Sequence, residues 1–180
     1  MNKFRWTCLG LWLLAVPLHA QNSRSGDVSV QYSPLYVLKG YTIWTNGISA
    51  SVERNVINWL GFAGDLGVYR GHVPENLTGE TYLVGQRFTY RKFKKFVPFA
   101  QDRFFQGLFG GSHFSRSTGG ITGGGSQFTF ALGGGADIGL GRTQRFALRP
   151  KLEYVGIRSG DSTTPSVRLS IGIAYRIGQH

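Results

Sequence analysis

The segment Val167-Arg168-Leu169-Ser170-Ile171-Gly172-Ile173-Ala174-Tyr175-Arg176-Ile177 alternates without a break. Every odd position is large and apolar, and every even position is Arg, Ser, Gly or Ala. A period of two over this length is that of a β-strand with two unlike faces. On a soluble sheet the face turned from the core carries water-seeking side chains such as Lys, Glu, Thr or Gln. Here the second face is small with a few charges, which suits a cramped interior and turns the large apolar side chains outward, toward lipid.

The same alternation recurs upstream. Over residues 60–69 the apolar set is Leu60, Phe62, Leu66 and Val68, and over 82–91 it is Tyr82, Val84, Phe88 and Tyr90. Residues 128–140 set Phe128, Phe130, Leu132, Ala136, Ile138 and Leu140 against Thr129, Ala131, Asp137 and glycines. Residues 146–154 set Phe146, Leu148, Pro150, Leu152 and Tyr154 against Ala147, Arg149, Lys151 and Glu153. Weaker strands are predicted at 27–37 and 46–54, and another from Phe96 toward Gly111, which makes eight. In that fifth strand Asp102 stands beside Arg103, so one charge faces the wrong way unless the strand bulges or breaks. The register there stays open.

The gaps between these strands fall at 38–45, 55–58, 71–79, 92–95, 113–125, 141–144 and 159–164, long and short in turn. In an up-and-down barrel the odd connections lie at one end and the even ones at the other. Long external loops and short periplasmic turns are the habit of outer-membrane barrels, and strands of about ten residues are long enough to span. The expected fold is an all-β, eight-stranded antiparallel up-and-down transmembrane β-barrel. A soluble lipocalin-like barrel is the alternative. It requires large apolar residues inside, the reverse of what residues 167–177 offer.

The first twenty residues read differently. Lys3 and Arg5 precede an apolar run holding Trp12, Leu13, Leu14 and Val16, and Ala20 closes it. This is the layout of a secretory signal peptide at 1–20, cleaved after Ala20, with the barrel at 21–180. An apolar run of about 12 residues is short for a membrane-spanning helix. Cys8, the only cysteine, lies inside this leader, so no disulfide, zinc knuckle or cysteine nucleophile is expected of the mature chain. The formal charge is +11. Lys3 and Arg5 leave with the leader, for a mature excess of +9. An exported chain meets phosphate-rich head groups rather than nucleic acid.

The segments YLVGQRFTYR, FVPFAQ, LFGGSHF and FALGGGADIGL, with FALRPKLEYV and SVRLSIGIAYRIG at the end, resemble the bacterial outer-membrane protein β-barrel domain family, which is similar to the barrel of outer-membrane protein A. The resemblance covers most of residues 27–178. It implies an eight-stranded barrel, export and insertion into the cell outer membrane, but no activity. It also implies as partners the outer-membrane lipid with its lipopolysaccharide and the barrel-assembly machinery, and a monomer. Two departures stand out. DRFFQG looks like extra sequence in the fifth strand, and the chain ends in His180 where such barrels end in an aromatic residue.

The inward faces collect Asp65, Arg87, Asp137, Arg149, Lys151, Glu153, Arg168 and Arg176, with Glu53 joining them. Charges inside a barrel are costly unless paired or wet. One reading is a salt-bridged filling, because eight strands enclose little more than their own side chains. The alternative is a narrow pore preferring anions. Basic inward residues outnumber acidic ones in this set, so incomplete pairing is expected, with Arg176 reaching water, an anion or the barrel mouth. No enzyme is expected. His72 near Glu75, Ser112 beside His113, and His180 form no recognisable catalytic motif, and adjacent Ser-His in a strand point to opposite faces. A lipid-modifying hydrolase is the least favoured reading. Neither a metal site nor a cofactor is expected.

Overall fold

In the computed structural model, residues 26–39, 41–57, 59–71, 76–90, 102–118, 121–141 and 145–177 are described. They form nine strands: β1 (Gly26–Tyr32), β2 (Leu35–Lys39), β3 (Tyr41–Ile57), β4 (Leu60–Gly71), β5 (Asn76–Tyr90), β6 (Asp102–Thr118), β7 (Ile121–Leu140), β8 (Phe146–Ser159) and β9 (Ser162–Ile177). The expected signal peptide and the turn at 92–95 lie outside the described residues.

All pairings are antiparallel, and β9 closes on β1 and β2. β1 and β2 are two halves of one stave, since both pair with β3 on one side and β9 on the other. The break is Ser33-Pro34, where proline has no N–H to give to a ladder. The gap is bridged on both sides: Ser33 N–H donates to the Gly47 carbonyl at 2.8 Å, and Leu169 N–H donates to that of Pro34 at 3.3 Å. Nine strands therefore make eight staves. Closure removes every unpaired edge, the condition for a sheet to lie in lipid.

The alternation has the sense expected of a transmembrane barrel. Val30, Leu66, Val84, Phe109, Leu152 and Ile171 point out and are half or more exposed, while the side chains between them are buried. Aromatic residues gather at two levels of the outer wall. Near the end that carries the chain termini, Trp59 stacks on Phe88 at 6.0 Å and Phe146 meets Tyr175 at 5.1 Å. Toward the opposite, hairpin end, Tyr36 meets Trp44 at 4.9 Å and Phe130 meets Tyr154 at 6.0 Å. Such rings favour the two interfaces of a membrane, with the apolar band between them.

Two expectations are corrected. The long connections are mostly strand. Residues 113–125 were expected as a loop, but β6 and β7 stay paired from His113↔Ser126 to Thr118↔Ile121. Likewise Lys39 pairs with Tyr41, Gly71 with Leu77, and Ser159 with Ser162 around a turn in which Gly160 has a positive φ of 59°. These arms rise past the apolar band, where neither face meets lipid, and so lack the alternation that marks a strand in sequence. Second, β6 runs from Asp102 with unbroken register against both β5 and β7, so DRFFQG is ordinary strand rather than extra sequence. The expectation for Asp102 and Arg103 holds: the strand does not bulge, Asp102 turns in to Arg176, and Arg103 takes the outward face at the terminal end of β6, paired with Tyr90.

Candidate functional site

Alternation on eight staves aims one side chain in two at the barrel axis, and the interior this creates is the site. It has two parts.

Nearer the terminal end lies a continuous ion-pair network. Arg149, on β8, donates from Nε and Nη2 to the two carboxylate oxygens of Asp137 on β7 at 2.6 and 2.7 Å, and from Nη1 to Asp27 on β1 at 2.7 Å. Arg87 pairs with Glu53 and lies 3.8 Å from Asp137. Arg176 reaches Asp102 at 3.1 Å and Asp137 at 3.8 Å. Phe104 points into this group, with the Arg87 guanidinium carbon 3.3 Å from its ring centre and that of Arg149 at 5.4 Å. The aromatic face adds cation–π attraction where water is scarce.

One step toward the hairpin end, Arg168 donates from Nε to Glu153 at 2.8 Å and from Nη1 to Asp65 at 2.7 Å and the Tyr69 hydroxyl at 3.0 Å. Lys151 sits between the same two carboxylates, 3.3 Å from Asp65 and 3.2 Å from Glu153. Gln106 Nε2 donates to the remaining oxygen of Glu153 at 2.7 Å. Two cations thus face two carboxylates. Arg149 and Arg168 are each 1% exposed, and an unpaired charge at that depth costs several kcal/mol.

The second part is apolar. Leu35, Ala63, Tyr69, Leu83, Leu108, Ala131, Val155 and Ile157 form one buried cluster, with Val37 and Phe114 against it. On the strands that supply both parts an apolar member lies nearer the hairpin end, although β4 also contributes Ala63 on the terminal side of Asp65. Tyr69 follows Asp65, Leu83 precedes Arg87, and Val155 follows Glu153. The charges are therefore capped on the hairpin side by a mainly apolar, uncharged layer that also holds the buried hydroxyls of Thr45, Ser112, Thr129 and Ser166.

The structure places Glu53, Asp65, Arg87, Asp137, Arg149, Lys151, Glu153, Arg168 and Arg176 together inside. It adds Asp27, Asp102, Gln106 and Phe104, which the sequence reading did not assign there, and joins to them Tyr69 from the small-residue face of residues 60–69. Asp27 was within reach, because Asp27, Ser29, Gln31 and Ser33 alternate with Val28, Val30 and Tyr32. The apolar cap had no such signal. Its members are isolated Leu, Val, Ile, Ala and Tyr residues on the nominally small, polar faces of several strands.

The expected surplus of inward positive charge is corrected. Among the described residues five inward cations meet six carboxylates, because Asp27 and Asp102 join the set, and Arg176 is paired rather than left to the mouth. Ser112 and His113 separate as adjacent strand residues must. Ser112 turns in to Thr129 at 2.6 Å, and His113 turns out between Ser126 and Ser115, each 3.3 Å away. His72, Glu75 and His180 lie outside the described residues.

No family model and no curated protein matches the chain by sequence. Solved structures do match by shape. Neisserial surface protein A superposes with a TM-score of 0.65 at 12% identity, over 86% of this chain and 97% of its own. Ail, the attachment invasion locus protein of Yersinia pestis, gives 0.60 at 16% identity, over 87% of this chain and all of its own. A second structure of Ail, in complex with the heparin analogue sucrose octasulfate, gives 0.59 at 18% identity. Identities this low speak to the fold alone. It is the fold of bacterial outer-membrane β-barrels, in keeping with the resemblance drawn from the sequence.

Proposed function

We propose that this chain is an integral outer-membrane barrel with a closed interior, serving a structural or surface-contact role rather than conducting solutes. One observation carries the reading: the interior is filled in series, a paired charge network below and a hydrocarbon cap above. An ion entering from the hairpin end would have to pass Leu35, Leu83, Leu108 and Ile157, where the inward polar groups are the small hydroxyls of Thr45, Ser112, Thr129 and Ser166 and none is charged. Hydrophobic constrictions of this kind oppose conduction by excluding water, and the paired charges below offer no free ring to select an anion. The narrow anion-preferring pore stays the alternative.

In this reading residues 1–20 direct export, the assembly machinery inserts the barrel, and lipopolysaccharide surrounds its outer half. The hairpin end then faces the medium, with the β6–β7 arm as the longest surface available to a partner. The names of two structural neighbours, a surface protein and an attachment protein, support a contact role of the same class.

Planar-bilayer conductance of the refolded protein tests the proposal. Current at the level of protein-free membranes supports the closed barrel. Steady, anion-selective channels from the unmodified protein overturn it and promote the pore.

A further inference from the structure

The outward charges at the two ends of the barrel differ. Near the terminal end, Arg54 on β3 and Arg103 on β6 take the outer wall, and Arg145 is exposed just before β8. Among the described residues, the carboxylates at that end are Asp27, Glu53, Asp102 and Asp137, and all turn inward to Arg149, Arg87 and Arg176. Interior pairing thus takes up the acidic residues and leaves the outer wall there positive. The chain between Tyr90 and Asp102 holds Arg91, Lys92, Lys94 and Lys95 and no acidic residue. Toward the hairpin end the exposed charges have both signs, Arg70 and Arg158 with Glu80 and Asp161.

These cations stand on the face of the wall that meets lipid. Arg54 comes two residues after Val52 and Arg103 two residues before Phe105, and both of those apolar side chains are exposed in the outward band. One outward row joins the two arginines across four strands: Arg54 pairs with Phe62, Leu60 with Phe88, and Tyr90 with Arg103. Trp59, stacked on Phe88 at 6.0 Å, lies along this row. Arg145 repeats the association, since it precedes Phe146, whose ring meets Tyr175 at 5.1 Å. Exposed Trp and Tyr rings favour head-group level, which sets the depth of the cations beside them.

We propose that the patch from Arg54 to Arg103 selects net-anionic glycerophospholipid, whose phosphate is not offset by an ammonium of its own. Its setting rests on the membrane-inserted reading above: with the hairpin end facing the medium, the terminal end lies in the glycerophospholipid leaflet opposite the lipopolysaccharide. The two guanidinium groups meet lipid phosphates, Trp59 and Tyr90 lie among the head groups, and Val52, Phe62 and Phe105 lie against acyl chains. A zwitterionic head group brings its own cation to the patch and gains less. Attraction of one Arg to an anionic lipid surface is worth about fivefold in affinity. The patch is on the outside of the wall, so it is independent of whether the barrel conducts.

The tryptophans supply the readout. In the chain freed of its expected leader they are Trp44 and Trp59, one at each aromatic level. The refolded protein is placed in vesicles of phosphatidylcholine and phosphatidylglycerol, with one lipid or the other brominated on its acyl chains, and quenching reports which lipid lies beside the ring. In Trp44→Phe, Trp59 should report phosphatidylglycerol favoured about fivefold, and the preference should fade in molar salt. In Trp59→Phe, Trp44 should report near parity. Arg54→Gln with Arg103→Gln should remove the preference at Trp59, and lysine at both positions should keep it. Arg54→Gln alone should still lower it, should the pair of glutamines insert poorly. Heat-modified gel mobility scores insertion separately, so a parent that does not insert defeats the membrane reading itself. An inserted parent with parity at Trp59, with equal preference at both tryptophans, or with a preference that survives the glutamine variants overturns the proposal.

Discussion

Arg149 and Asp137 face each other across β7 and β8, joined by two parallel hydrogen bonds of 2.6 and 2.7 Å. Asp137 lies between the register pairs Gly135↔Lys151 and Ile138↔Leu148, which sets it opposite the guanidinium. This side-by-side geometry is the strongest form of the Arg–carboxylate pair. It also anchors the network, since Asp137 lies within 4 Å of Arg87, Arg149 and Arg176. Asp137→Asn should destabilise the barrel by about 3–5 kcal/mol, because buried cations lose their shared partner. Urea titration in lipid vesicles, followed by heat-modified gel mobility, measures the loss. Replacing Asp137 and Arg149 together by apolar residues should cost less than Asp137→Asn alone.

Glu153 joins Arg168 and Lys151 beneath the apolar cap. Glu153→Gln leaves Asp65 as the only carboxylate for both and should destabilise the barrel by several kcal/mol. Conductance, near background in the parent, should rise in this variant. It should rise further when Leu108→Ala or Ile157→Ala opens the cap as well. An unchanged trace in Glu153→Gln with Leu108→Ala would show that neither residue lies on a path that water can take.

Leu169 and Ile171 face out from β9 at mid-band, both about half exposed. Arginine at either position should impair folding into lipid by ~2–4 kcal/mol if it lies near the midplane. Folding yields into vesicles that match the parent would reverse the assignment of faces.

Gly172, next after Ile171, faces in and lies against the backbone of β1. A Cβ there would press on the Val30 carbonyl oxygen and Gln31 Cα. Gly172→Ala should therefore weaken the seam where β9 closes on β1, whereas Gly64→Ala should be tolerated. Comparing the urea midpoints of the two alanine variants separates a packing requirement at the seam from a general preference for glycine.

The orientation is open to chemistry. Cys8 is the only cysteine in the chain and belongs to the expected leader. A single cysteine at Ser126, exposed on the β6–β7 arm, should react with a membrane-impermeant maleimide on intact cells. One at Arg145, exposed at the terminal end, should react only after permeabilisation. The opposite pattern inverts the topology.

Period two is a local property, so the chain by itself determined that residues 60–69, 82–91, 128–140, 146–154 and 167–177 are strands, and which side chains on them face lipid. It also determined most of the inward charged residues, since each needs only its immediate neighbours to be assigned a face. Three things were decided by the tertiary structure. The first is who meets whom: Arg168 on β9 reaches Asp65 on β4 and Arg149 on β8 reaches Asp27 on β1 across more than a hundred residues of chain, because closure turns the inward faces of non-adjacent staves toward one another. The second is the apolar cap, assembled from isolated residues that share a level only once the strands are tilted and staggered. The third is the length of the hairpin arms, where backbone pairing continues beyond the lipid. Alternation records the difference between lipid and interior, and past the apolar band that difference no longer exists.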